Sequence, residues 1–77
     1  MSVKLMAQVW DMDMKAIEKI VLLALADYAD DDGVCWPRQN TIAIKTGVSR
    51  QTVNQKMKQL EADGLLAKID GRTILFP

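Results

Sequence analysis

Ile42-Ala43-Ile44-Lys45-Thr46-Gly47-Val48-Ser49-Arg50-Gln51-Thr52-Val53 is the stretch on which the fold of this chain is decided. Gly47 suits the positive φ of a tight turn. Ser49, two residues on, suits an N-cap, because its short hydroxyl accepts from the free N–H groups of a first helical turn. The pattern predicts a helix over residues 39–46, a break at Gly47, and a second helix over residues 50–63. In the first, Ile42, Ala43 and Ile44 are expected to face inward, with Ala43 small enough for a close helix crossing. In the second, Val53, Met57 and Leu60 repeat at the three-four spacing of a buried stripe, and Val48 returns the turn to the core. A loop this short makes the two helices cross at about 90–120°.

Upstream, Asp11 or Asp13 is expected to cap a helix over residues 14–29, whose buried stripe would be Ile17, Ile20, Val21, Ala24 and Tyr28. Leu22, Leu23 and Leu25 make it apolar nearly all round, which marks a central helix. Asp30-Asp31-Asp32-Gly33 ends it, although three acids there oppose the helix dipole. Val34-Cys35-Trp36 reads as a brief strand closed by Pro37. Val3, Leu5, Ala7 and Val9 alternate with Lys4, Met6, Gln8 and Trp10, a weak strand pattern, so residues 1–12 are expected to form an N-terminal arm. Downstream, Gly64 ends the last helix. Two β-prone runs within residues 65–76 then flank Asp70-Gly71, the dipeptide favoured in two-residue hairpins. The predicted whole is one domain, 1–77, of α+β class but mainly α, with three helices and a C-terminal hairpin.

At 77 residues the chain is near the lower size limit for an unaided core. Its single cysteine, Cys35, cannot bridge within the chain and reads as a small buried hydrophobe. Without histidine the common zinc-finger and triad chemistries are excluded, and no catalytic, metal or cofactor site is predicted. No apolar run is long enough for a membrane span and the start lacks signal-peptide character, so a bacterial cytoplasm or nucleoid is the expected compartment, with no small-molecule substrate. Net charge is zero, but unevenly spread. Residues 1–37 carry three lysines against seven acids, −4, and residues 38–77 carry seven cations against three acids, +4. That split suits a protein presenting one end to phosphate. Trp10 and Trp36 read as core or interface anchors, and Met6, Met12 and Met14 as gap-fillers at a packing surface.

Arg50, Gln51, Asn54, Gln55 and Lys58 lie away from the Val53–Met57–Leu60 stripe. Arginine can pair with the guanine edge, and glutamine or asparagine with the adenine edge, in a major groove about 12 Å wide. Each alone is an ordinary solvated helix residue; five together behind a Gly-Val-Ser turn predict a DNA-reading helix. Ser49 and Thr52 on the leading turn, Arg38 before the preceding helix, and Lys68 and Arg72 on the hairpin complete the candidate contacts. The wing is short and Asp70 at its tip repels phosphate, so its contact is expected to be weak.

Leu22-Leu23-Ala24-Leu25-Ala26-Asp27-Tyr28-Ala29, Gly33-Val34-Cys35-Trp36-Pro37, Gly47 to Val53, and Leu60-Glu61-Ala62-Asp63-Gly64-Leu65-Leu66 together resemble a family of winged helix-turn-helix domains. That family is common in phage- and plasmid-encoded proteins, including replication initiators and small regulators. The resemblance covers about residues 10–69 and implies a double-stranded DNA partner. Two positions depart from it. Arg38 stands where the family has a capping serine, and Lys56, expected to snorkel beside Met57, where it often has alanine. The expected function is sequence-specific DNA binding by a phage or plasmid transcriptional regulator, acting as a homodimer or cooperative oligomer. The alternatives are the DNA-binding head of a replication initiator and a winged-helix module that binds protein.

Overall fold

A computed structural model describes residues 2–76. They form four helices and one three-stranded antiparallel sheet: α1 (Val3–Trp10), α2 (Ala16–Tyr28), β1 (Val34–Cys35), α3 (Gln39–Thr46), α4 (Arg50–Ala62), β2 (Leu66–Ile69) and β3 (Arg72–Leu75). The sheet order is β1-β3-β2, so the last strand lies in the middle.

The largest departure from the sequence reading is α1, a helix where an extended arm was expected. The alternation that suggested a strand is incomplete, since Met6 and Trp10 at the would-be polar positions are apolar. What decides the helix is a cap and a four-residue period. Ser2 is buried, and its hydroxyl accepts from the Leu5 N–H at 3.2 Å. Its own N–H donates to the Ala26 carbonyl. Leu5 and Val9, one turn apart, are buried while Val3 faces solvent. Lys19 donates from Nζ to the Trp10 carbonyl at 3.0 Å, placing a cation at the C-terminal end of α1 where the helix dipole favours it.

Helix α2 is the core. Val21 to Ala26 are buried without interruption, and α1, α3, α4 and β1 pack around them. The stripe predicted from spacing is only partly right, because Ile17, Ile20 and Tyr28 are exposed while Leu22, Leu23 and Leu25 are inside. An all-round apolar helix gives no periodic signal to say which side is deepest, and the position of α1 decides it. Neither Asp11 nor Asp13 caps this helix. Lys15 is the N-cap residue and makes no side-chain capping bond, while Asp11 ends α1. Met6, Met12 and Met14 pack against the core as gap-fillers. Trp36 lies largely in solvent, as does Trp10, so neither anchors the core.

The acidic turn acquires a reason. Asp30 lies beyond the end of α2, and its Oδ1 accepts from the Asp32 and Val34 N–H groups at 2.9 and 3.0 Å. The carboxylate thus closes the turn into β1 by the local mimicry that makes aspartate a turn residue. Gly33, at φ +81°, passes against the sheet: its carbonyl accepts from the Leu75 N–H, and a Cβ here would lie 2.9 Å from the Leu75 oxygen. In the hairpin Asp70 and Gly71 both take positive φ, 51° and 76°, with Ile69 opposite Arg72. This is the expected two-residue turn. Cys35 is fully buried under β3 and donates to the Thr73 carbonyl at 3.5 Å. Burial first, and the Asp30 charge second, push its thiol pKa up to about 11, so it stays protonated and unreactive at neutral pH.

Gly33→Ala should lower the free energy of unfolding by more than about 2 kcal/mol, since the left-handed backbone alone costs an alanine about 1–2 kcal/mol and the carbonyl clash adds to it. Gly47→Ala has the same backbone strain but open space around the added carbon, and should cost about 1–2 kcal/mol. Urea unfolding of both variants checks the order; equal losses would show that the approach of Gly33 to Leu75 carries no weight.

Candidate nucleic-acid interface

The turn between α3 and α4 is built from three local devices. Gly47 takes φ 75°, and its N–H donates to the Ala43 carbonyl. The Thr46 hydroxyl donates to the Ile42 carbonyl at 2.8 Å and accepts from the Val48 N–H at 3.2 Å, so one side chain ties the end of α3 to the start of the turn. The Ser49 hydroxyl accepts from the Thr52 N–H and donates to the Thr52 hydroxyl, opening α4 as predicted. Val53, Met57 and Leu60 of α4, with Ile42 of α3, are buried against α2, and Ala43 and Val48 pack beside them. Ile44, expected inside, is 78% exposed, because it lies about 200° around α3 from Ile42.

With that stripe buried, α4 must turn its polar face outward. Gln51, Gln55 and Lys58 are exposed and share the side opposite the core, while Arg50 and Asn54 flank it. Arg50, Gln51 and Asn54 line one shallow concavity of about 400 Å³ with Gln39. Lys68 and Arg72 line a second recess of about 200 Å³ between wing and helix, shared with Gln39, Pro37 and Met57. Arg38 is exposed at the N-cap of α3 and makes no capping bond; it borders a different hollow, with Tyr28, Trp36, Pro37 and Thr41. The geometry therefore gathers the helix and wing candidates on one side and leaves Arg38 at their margin. Ser49 and Thr52 are occupied with capping each other.

Ion pairing across the two halves reduces the charge division and shows which cations remain free of a partner among the described residues. Lys45 pairs with Asp27 at 2.6 Å, which raises its pKa by hydrogen bond and charge, and it sits 5.1 Å from the centre of the Tyr28 ring. Lys56 does not snorkel into solvent: half-buried, it reaches Glu18 at 3.7 Å. Two cations of the basic half are thus neutralised by acids of α2. Among the described residues Arg38, Arg50, Lys58, Lys68 and Arg72 have no ion-pair partner, and the first turn of α4 carries no acid to wall it off.

Gln39, absent from the predicted contacts, is the residue the sequence reading missed. Its Nε2 donates to Asn54 Oδ1 at 2.8 Å, joining the first turn of α3 to the second turn of α4. The two residues are 15 apart, and only the crossing of the helices brings them together, so no local pattern signals the pair.

Two helices joined by a tight turn and packed on a third, followed by a hairpin that completes a three-stranded sheet with β1, are the winged helix-turn-helix architecture, a DNA-binding class. The chain belongs to the helix-turn-helix domain family, whose pattern matches residues 13–66. It is also 40% identical over 72 residues to Protein YmfN of Escherichia coli (strain K12). That likeness takes in 88% of this chain but 16% of the relative, so the chain spans about a sixth of its length. No solved structure matches. Among the described residues no helix is long and apolar enough to cross a membrane, and no three His, Cys, Asp or Glu side chains are grouped to hold a metal ion.

Ser49→Ala should lower stability by about 1 kcal/mol, the usual cost of losing an N-cap. Chemical unfolding checks this, and Ser49→Asp, which restores an acceptor at the cap, should recover most of the loss.

Proposed function

We propose that this domain binds double-stranded DNA sequence-specifically, with α4 entering the major groove and the wing resting beside the backbone. The observation that carries the reading is the outward face of α4: Arg50, Gln51, Asn54 and Gln55 offer base-edge chemistry on the side of the helix turned away from its buried Val53–Met57–Leu60 stripe. Unpaired Lys58, Lys68 and Arg72 around it are suited to phosphate, with Arg38 as a contact at the margin. Asp70 at the hairpin tip keeps the wing's contribution small. The biological role that fits is a phage or plasmid transcriptional regulator. A second reading, the DNA-binding head of a larger protein such as a replication initiator, is favoured by the small share of YmfN that the chain matches.

One recognition helix reads few base pairs, so useful specificity calls for two half-sites about 34 Å apart and hence a second copy of the chain. A groove of about 290 Å³ between α1, α2 and α3, lined by Met6, Trp10, Ile20, Leu23 and Ala24, supplies an apolar surface for it. Trp10 stands 63% exposed at its edge. The groove's remaining lining is Asp27 of α2 with Lys45 and Thr46 of α3, and no residue of α4 borders it, so the outward face of α4 stays free for DNA.

Titration of duplex DNA at two or more salt concentrations tests the main claim. Four to six phosphate contacts give a log–log slope of about −0.9 per contact. Arg50→Ala and Gln51→Ala should each cost about 1–3 kcal/mol and relax base preference, while Lys58→Ala weakens all sequences alike. An absence of salt-sensitive binding at low ionic strength would refute DNA binding and leave a protein-binding winged helix. Sedimentation equilibrium tests the assembly: the wild type should dimerise, free or on DNA, and Trp10→Glu should be monomeric yet folded. A wild type monomeric in both conditions would overturn it.

A further inference from the structure

We propose that Gln39 is a positioning residue that fixes the amide of Asn54 for base readout; this rests on the DNA-binding reading above. Asn54 is half-buried on the flank of the outward stripe, and Gln39 is half-buried at the first position of α3. The 2.8 Å bond from Gln39 Nε2 to Asn54 Oδ1 joins the two helices of the motif, and both side chains border the concavity that Arg50 and Gln51 also line. An asparagine alone on a helix surface samples several rotamers and both amide orientations. Base readout needs one plane and one orientation, since the adenine edge offers an acceptor at N7 and a donor at N6 side by side. The bond from Gln39 takes one lone pair of Oδ1 and leaves the other, with both Nδ2 hydrogens, for a base. Turning either amide alone would set like groups against each other, so the bond blocks an independent turn of Asn54 and leaves only a concerted turn of both side chains.

The ordering is done in the free protein. DNA then meets a side chain whose rotamer freedom is already reduced, and discrimination by Asn54 carries less entropic penalty on binding. Gln39 itself acts through Asn54. Gln39 also lines the recess shared with Lys68 and Arg72, so it stands where helix and wing sides of the interface meet.

The test uses the full chain and a preferred duplex selected from random DNA. Affinities are measured for that duplex and for single-base changes at each position, including the one where Asn54→Ala abolishes discrimination. Gln39→Ala, and Gln39→Met, which keeps the bulk without the polar atoms, should each reduce the base-preference ratio at that position by about five-fold or more, as expected for a coupled pair. Ratios at other positions, the salt slope and the melting temperature should change little, and Gln39→Ala should add no further loss of discrimination in an Asn54→Ala background. Full retention of the ratio by Gln39→Met, equal losses on every sequence, additive losses in the double variant, or no position relaxed by Asn54→Ala would each overturn the proposal. A wild-type chain with no sequence preference would instead defeat the DNA-reading function itself.

Discussion

Six consecutive residues of α2, Val21 to Ala26, are buried, and a helix apolar on every side cannot rest on a single neighbour. It has to be covered from several directions at once. Helix α1 covers one side, α3 and α4 two others, and β1 meets it beyond the Asp30 turn. The arrangement of the motif follows from that demand. Helix α4 buries Val53, Met57 and Leu60 and also meets α3 and β2, so the face opposite that stripe, with Gln51, Gln55 and Lys58, is left outside and carries the polar side chains suited to a DNA edge. The exposed polar face of α4 is thus a by-product of packing around a central helix.

The electrostatics follow the same geometry. Asp27 and Glu18 of α2 draw Lys45 and Lys56 back onto the body. Such half-exposed pairs add little to stability. Their larger effect is on placement: with Lys45 and Lys56 drawn to α2, the cations without an ion-pair partner among the described residues of 38–77 are Arg38, Arg50, Lys58, Lys68 and Arg72, in a molecule whose net charge is zero. Partner preference here depends on placement more than on total.

Much of this was legible in the residues. The Gly47 turn, the Ser49 cap, the buried stripe of α4 and the Asp70-Gly71 hairpin are all set by local chemistry within a few positions, and each lies where the pattern put it. The misses share the opposite character. Helix α1 depends on Ser2 meeting Ala26, the exposure of Ile17 and Ile20 on where α1 docks, and the Gln39–Asn54 bond on a helix crossing. Period alone could not choose a face for α2, since every face is apolar. Within the interface, the residue types and the Ser49 cap were readable, but the separation of Arg38 from the others needed three dimensions.

The central place of β3 in the sheet has a consequence for how the domain comes into being. β1 pairs only with β3, Val34 meeting Ile74 across 74 − 34 = 40 residues, and Gly33 is tied to Leu75. As the polypeptide leaves the ribosome, β1 must wait without a strand partner until the hairpin has been made. The sheet cannot close before residues 72–75 emerge, so a nascent chain stalled before residue 72 would carry α3 and α4 on an unfinished scaffold.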